Sequence, residues 1–108
     1  MSEKLCELHC VPCHGGVLPL ESAEIAELLK QLRGWEVVAE HHLQKSYEFA
    51  NFAEALEFVN RIGAIAEQEG HHPDISFGWA YARIQIWTHA IDGLSESDFI
   101  LAARIDAA

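Results

Sequence analysis

Glu67, His71, His72, His89 and Asp98 place three imidazoles and two carboxylates in the stretch from residue 67 to residue 98. Imidazole has an unperturbed pKa of about 6.5, so it can hold or release a proton near neutral pH. A set of this kind can protonate one atom of a small molecule while taking a proton from another. An elimination of water needs both transfers, and neither transfer needs a metal.

The elements that must position these groups are legible in the surrounding residues. A first helix is expected from Ala23 to Leu32, capped by Ser22 and ended by Gly34, with Ile25, Leu28, Leu29 and Leu32 as its apolar stripe. A strand starts near Trp35 and a second covers Leu43 to Phe49, joined near Glu40-His41-His42 without a glycine turn signal. His41 and His42 read as solvent-exposed turn residues. The second helix is capped by Asn51 with Glu54 in a capping-box position, and Gly70 stops it. Its stripe is Phe52, Ala55, Leu56, Val59, Ile62, Gly63 and Ala66. At 3.6 residues per turn Glu67 falls roughly 60–70° from the middle of that stripe, at the edge of the core, with Glu54, Glu57 and Glu69 farther toward water. Pro73 then drives His72 into an extended conformation. Strands from Ile75 to Gly78 and from Ala82 to Thr88 follow, so His89 sits where the last strand runs out. Ser95 caps a third helix with Asp98 as its N3 residue, and completing that cap is compatible with serving a site. Helix, two strands, helix, two strands, helix predicts an α+β fold: a four-stranded antiparallel sheet with three helices packed on one face.

The spacing itself is distinctive: Glu67, three residues, His71-His72-Pro73, five residues, Trp79, nine residues, His89, eight residues, Asp98. It resembles the pterin-4a-carbinolamine dehydratase family. The likeness runs from about Leu20 to Ile105 and includes Gly34-Trp35, Phe52 to Asn60, Thr88-His89 and Gly93-Leu94-Ser95. It implies dehydration of a 4a-hydroxytetrahydropterin, a by-product of aromatic amino-acid hydroxylases, to quinonoid dihydropterin. His71, His72 and His89 would be the acid-base residues, Glu67 and Asp98 their supports, and Pro73, Trp79 and Trp87 the wall against the ring. Ile75 stands where some relatives have Trp. The resemblance also implies a homodimer or homotetramer, with no redox cofactor because nothing is oxidised. Some relatives double as partners of a homeodomain transcription factor. A non-catalytic binding module is therefore the alternative, and a three-histidine metal site a further one.

Bulk properties narrow the classes. A chain of 108 residues, half of them hydrophobic, suits one domain with one core. Seventeen acidic against seven basic residues, a formal charge of −10, leave no basic surface for nucleic acid. No apolar run approaches the roughly 18 residues of a membrane span, and no signal segment is visible at the start, so the cytoplasm is the expected location. Residues 1–19 read as a flexible, reduced-thiol leader before a single domain at 20–108. Within the leader, Cys10-Val11-Pro12-Cys13-His14 matches a haem c attachment pattern, and Cys6, Cys10, Cys13 and a histidine would suit zinc. The crowding of those ligands and the expected compartment favour free thiols over both, and over a disulfide.

Overall fold

The computed structural model describes residues 5–8 and 18–108. Its elements are α1 (Ser22–Leu29), β1 (Glu36–Val38), β2 (His42–Glu48), α2 (Phe52–Glu69), β3 (Asp74–Gly78), β4 (Tyr81–Ile86) and α3 (Glu96–Ala107). Short 3-10 turns cover Leu5–Glu7 and His89–Ile91. The strands form one antiparallel sheet in the order β1-β2-β4-β3. The α+β architecture expected from the sequence is the one observed.

Alternation along the strands decides which face is covered. Leu43 of β2 and Ala82, Ile84 and Ile86 of β4 are wholly buried beneath the helices, while Ser46, Glu48, Tyr81 and Arg83 face out. The centre of the helical layer is α3. From Ser97 to Ala103 every residue is buried, Phe99 and Leu101 completely. A helix enclosed on all sides has little amphipathic signature, because it has no solvent face to signal.

Both ends of α1 and the packed face of α2 differ from expectation, and β4 ends at Ile86, two residues before the expected Thr88. Glu21, not Ser22, caps α1: its side chain accepts from the backbone of Glu24, and Glu24 Oε1 accepts from Glu21 N at 3.2 Å. Ser22 Oγ is engaged elsewhere, by Glu40 of the β1–β2 turn. The helix ends at Leu29, where Gln31 and Leu32 turn their N–H groups to Leu28 and Leu29, three residues back. In α2 the packed face is rotated from the expected stripe. Ala55, Phe58, Ile62, Ile65 and Ala66 face the core, leaving Phe52 and Leu56 exposed at 42% and 39%. Continuing that face by one turn buries the side chain of Glu69, which lies 3.6 Å from Arg104 Nε. Glu67 is on the water side.

Leu5 is buried against α3, and Leu8 O accepts from Arg104 Nε at 2.6 Å. Leu5 and Leu8 of the expected flexible leader are therefore packed. The haem, zinc and thiol readings involve His9, Cys10, Cys13, His14 and the Cys6 side chain, which lie outside the described residues. Among the described residues no helix is long and apolar enough to cross a membrane.

Candidate active site

A pocket of 390 Å³ opens where α2 ends and β4 runs out, lined by residues 70–74 and 87–90. Gly70 makes the first wall possible. It sits in the left-handed region at φ 64°, which a side chain would strain, and it lets the chain leave α2 at once. His71 N still donates to Ala66 O at 3.2 Å, closing the helix end. His71, His72 and Pro73 then span the short gap to β3.

Asp98 organises the two walls. Its side chain is fully buried, and buried acceptors require donors. His71 Nε2 donates to Oδ1 at 2.5 Å, while Thr88 Oγ1 and Ser95 N donate to Oδ2 at 2.9 Å and 2.8 Å. Ser95 Oγ accepts from Asp98 N and lies 2.7 Å from Thr88 Oγ1. Asp98 thus completes the helix cap and also ties the helix-exit histidine to the residue before His89. With Nε2–H committed to Asp98, Nδ1 is the His71 nitrogen left to exchange a proton with a ligand.

The other groups are held more loosely. His72 Nε2 lies 2.5 Å from Glu67 Oε2, with side chains 59% and 79% exposed. This carboxylate is not at the core edge as expected from the helix pattern, yet it meets the adjacent histidine because the chain doubles back over the last turn of α2. His89 lies on the solvent side of the pocket, its ring centroid 4.3 Å from that of Trp87.

Of the expected site residues, His71, His72, Pro73, Trp87 and His89 line the pocket, and Glu67 and Asp98 bind two of its histidines. Trp79 does not join them. It lies on the β3–β4 turn, 70% exposed, eight residues from Trp87 and so about 26 Å along an extended strand. The sequence reading also missed Thr88, His41 and His42. A hydroxyl in phase with buried Ile84 and Ile86 must find a partner, a usable signal for Thr88. His41 and His42 are half-buried, not free in solvent. The β2–β4 register that opposes Leu43 to Ile86 brings their rings to 5.3 Å and 5.8 Å from Trp87. Burial, then the charge His41 would carry, lowers the pKa of His42 below the ordinary histidine value. Among the described residues no three histidine, cysteine or carboxylate side chains converge as ligands of a metal ion would.

The family model described as pterin 4 alpha carbinolamine dehydratase matches residues 18–108. A protein of Rubrobacter xylanophilus, provisionally named pterin-4-alpha-carbinolamine dehydratase, is 60% identical over 106 residues, covering 98% of each chain. A similarly named protein of Rickettsia canadensis is 53% identical over 104 residues, covering 95% of each. Among solved structures, a transcriptional coactivator/pterin dehydratase from Brucella melitensis superposes with a TM-score of 0.77 at 28% identity, over 82% of this chain and 96% of that one. A pterin dehydratase-like protein described as a RuBisCO assembly factor in the alpha-carboxysome gives 0.59 at 28% identity, over 69% and 88%.

Proposed function

Because this chain belongs to the pterin-4a-carbinolamine dehydratase family, we propose that it removes water from 4a-hydroxytetrahydropterins by histidine acid-base catalysis, in the pocket between residues 70–74 and 87–90. The observation that carries the reading is the buried Asp98, which joins His71 to the Thr88-His89 strand end so that two distant imidazoles border one space. In the reaction the N5 lone pair expels the 4a-hydroxyl as an acid protonates its oxygen. N5 then loses its proton, giving quinonoid dihydropterin and water. His71 and His89 are the donor and acceptor of those protons, and His72, held by Glu67, orients the ring. Trp87 and Pro73 supply flat and apolar wall. No electron is gained or lost, so the step calls on no redox cofactor. Its product is the form that must be reduced to return a tetrahydropterin to an aromatic amino-acid hydroxylase.

General acid-base assistance is worth ~10²–10⁴-fold per positioned group. Carbinolamine decay followed by stopped flow is therefore expected to slow by about 10²-fold or more in His71→Ala and in His89→Ala, with circular dichroism unchanged. Wild-type rates in both variants would remove the assignment.

A homo-oligomer is the second part of the proposal, supported by apolar side chains left uncovered: Phe52, Leu56, Trp79 and Tyr81, with Phe52 stacked on Phe77 at 5.6 Å. The same surface is the one a non-catalytic binding role would use. A chain that assembles normally but leaves carbinolamine decay at its spontaneous rate would favour that role over the enzyme.

A further inference from the structure

We propose that His41 is a positioning residue for His89, acting through Asp92 and Trp87 from outside the pocket. The proposal deepens the dehydratase reading and rests on His89 being one of its proton-transfer groups. His89 opens a 3-10 turn, His89–Ile91, that ends at Asp92. The inner side of this segment is fixed by Thr88, bonded to Asp98 and paired with Gly93 across an isolated bridge. On the outer side, His41 Nε2 donates to Asp92 Oδ1 at 2.7 Å. Segment 88–98 thus carries two carboxylates that each meet a histidine from another element, Asp92 with His41 midway and Asp98 with His71 at its end.

Backbone conformation around the outer tie is costly. Ala39 and Glu40 of the β1–β2 turn have φ 52° and 54°, and Asp92 has φ 48°. These are the described non-glycine residues at positive φ, and they stand on the two turns that His41 and Asp92 connect. Each such residue is strained and persists where surrounding contacts over-determine it. Each turn is closed by its own backbone bond, His41 N to Val38 O at 2.9 Å and Asp92 N to His89 O at 3.2 Å, and His41 to Asp92 and Ser22 to Glu40 add contacts from outside the strand ladder.

The rings complete the connection. His41 lies 5.3 Å from Trp87 and 5.3 Å from His42, and Trp87 lies 4.3 Å from His89. The indole is flanked by the two turn histidines and by the proposed catalytic one. With Nε2–H given to Asp92, His41 Nδ1 is the acceptor in the neutral ring, and the 3.1 Å contact to His42 Nδ1 makes His42 the donor. Both rings are thereby oriented. Displacing His41 frees the Asp92 end of the turn and one side of Trp87, so His89 loses its alignment without losing any contact to substrate.

The test combines imidazole NMR with carbinolamine kinetics on the full chain. In His41→Ala the His89 Cε1–H resonance is expected to shift, with kcat roughly tenfold lower and KM held within about twofold. His41→Gln, whose amide reaches Asp92 from the Nε2 position, restores most of kcat. Asp92→Gly keeps the left-handed turn without strain and removes the carboxylate, so it must reproduce the loss even where His41→Ala folds poorly. A His89 resonance identical to wild type in both His41→Ala and Asp92→Gly overturns the proposal, as does an unchanged kcat in both. A wild-type protein that dehydrates no carbinolamine would instead end the dehydratase reading, while the His89 resonance still reports on His41.

Discussion

At Asp98 one buried carboxylate serves a helix cap, a hydroxyl and an imidazole, and each demand supports the others. Replacing it with Asn turns one acceptor into an amide donor facing donors, leaving buried polar groups mismatched. Asp98→Asn is expected to lower kcat by roughly 10–100-fold and to lower the melting temperature, measured by stopped flow and by thermal denaturation. An unchanged rate would separate Asp98 from the chemistry. Glu67 differs, because its pairing with His72 is in water, where such contacts contribute ~0–1 kcal/mol. His42 has a consequence for stability. Its folded-state pKa lies below the unfolded value of 6.5, through burial and then His41. The unfolded chain therefore binds more protons as pH falls through about 6.5 toward the lowered value. The stability due to neutral His42 is complete above about 6.5 and is lost below it. Melting curves from pH 7 to pH 5 should fall less steeply in His42→Gln than in wild type, and parallel slopes would contradict this.

Among the elements, α2 shows how a helix end can place the groups proposed to be catalytic. Asn51 Oδ1 accepts from Glu54 N at 2.9 Å at its start, while Glu54 Oε1 accepts from Ala50 N at 3.2 Å, one residue earlier than the expected capping box. At its end the left-handed Gly70 directs His71 inward. A methyl at Gly70 would meet no neighbour, so the cost of Gly70→Ala is conformational alone. That cost is about 1–2 kcal/mol, and a reduced rate should accompany it because His71 follows directly. A melting temperature and rate both equal to wild type would show that the left-handed exit is dispensable. The start and stop of this helix were readable because caps act through residues three or four apart. Its rotation was not: Phe52 and Leu56 fit an apolar stripe as well as Phe58 and Ile65 do. The sheet and α3 selected the second face, carrying Glu69 in and Glu67 out.

For the whole molecule, the C-terminal helix fixes the sheet to the site. Asp106 accepts from Trp35 Nε1 at 3.0 Å and from Lys45 Nζ at 2.9 Å, which anchors the far end of α3 while Asp98 anchors its beginning. Half-buried Tyr47 stands in the same group, its hydroxyl pushed well above the usual tyrosine pKa by burial and then by Asp106. The pocket lining at residues 70–74 and 87–90 comes from one chain, so under the proposed function assembly and chemistry are separable. Leu56→Asp, placing a charge on the uncovered face of α2, should shift sedimentation toward the monomer and leave kcat within about twofold, as surface changes remote from a site do. A dissociated protein that lost its activity would mean that a partner completes the pocket.

The amino-acid sequence by itself determined the order of the elements, the caps at Asn51, Gly70 and Ser95, and the resemblance that selected His71, His72, His89, Glu67 and Asp98. The elements and caps depend on periodicity and on hydrogen bonds spanning a few residues, which the local chain dictates, whereas the site residues came from the resemblance alone. Tertiary structure alone decided that Asp98 takes His71, that Trp79 stands at the opposite end of the hairpin, and that His41 reaches Asp92 beside the pocket. Such meetings join residues 27 and 51 positions apart. They follow from strand register and helix rotation, which are set when the whole core closes around Leu43, Ile84, Ile86 and Phe99.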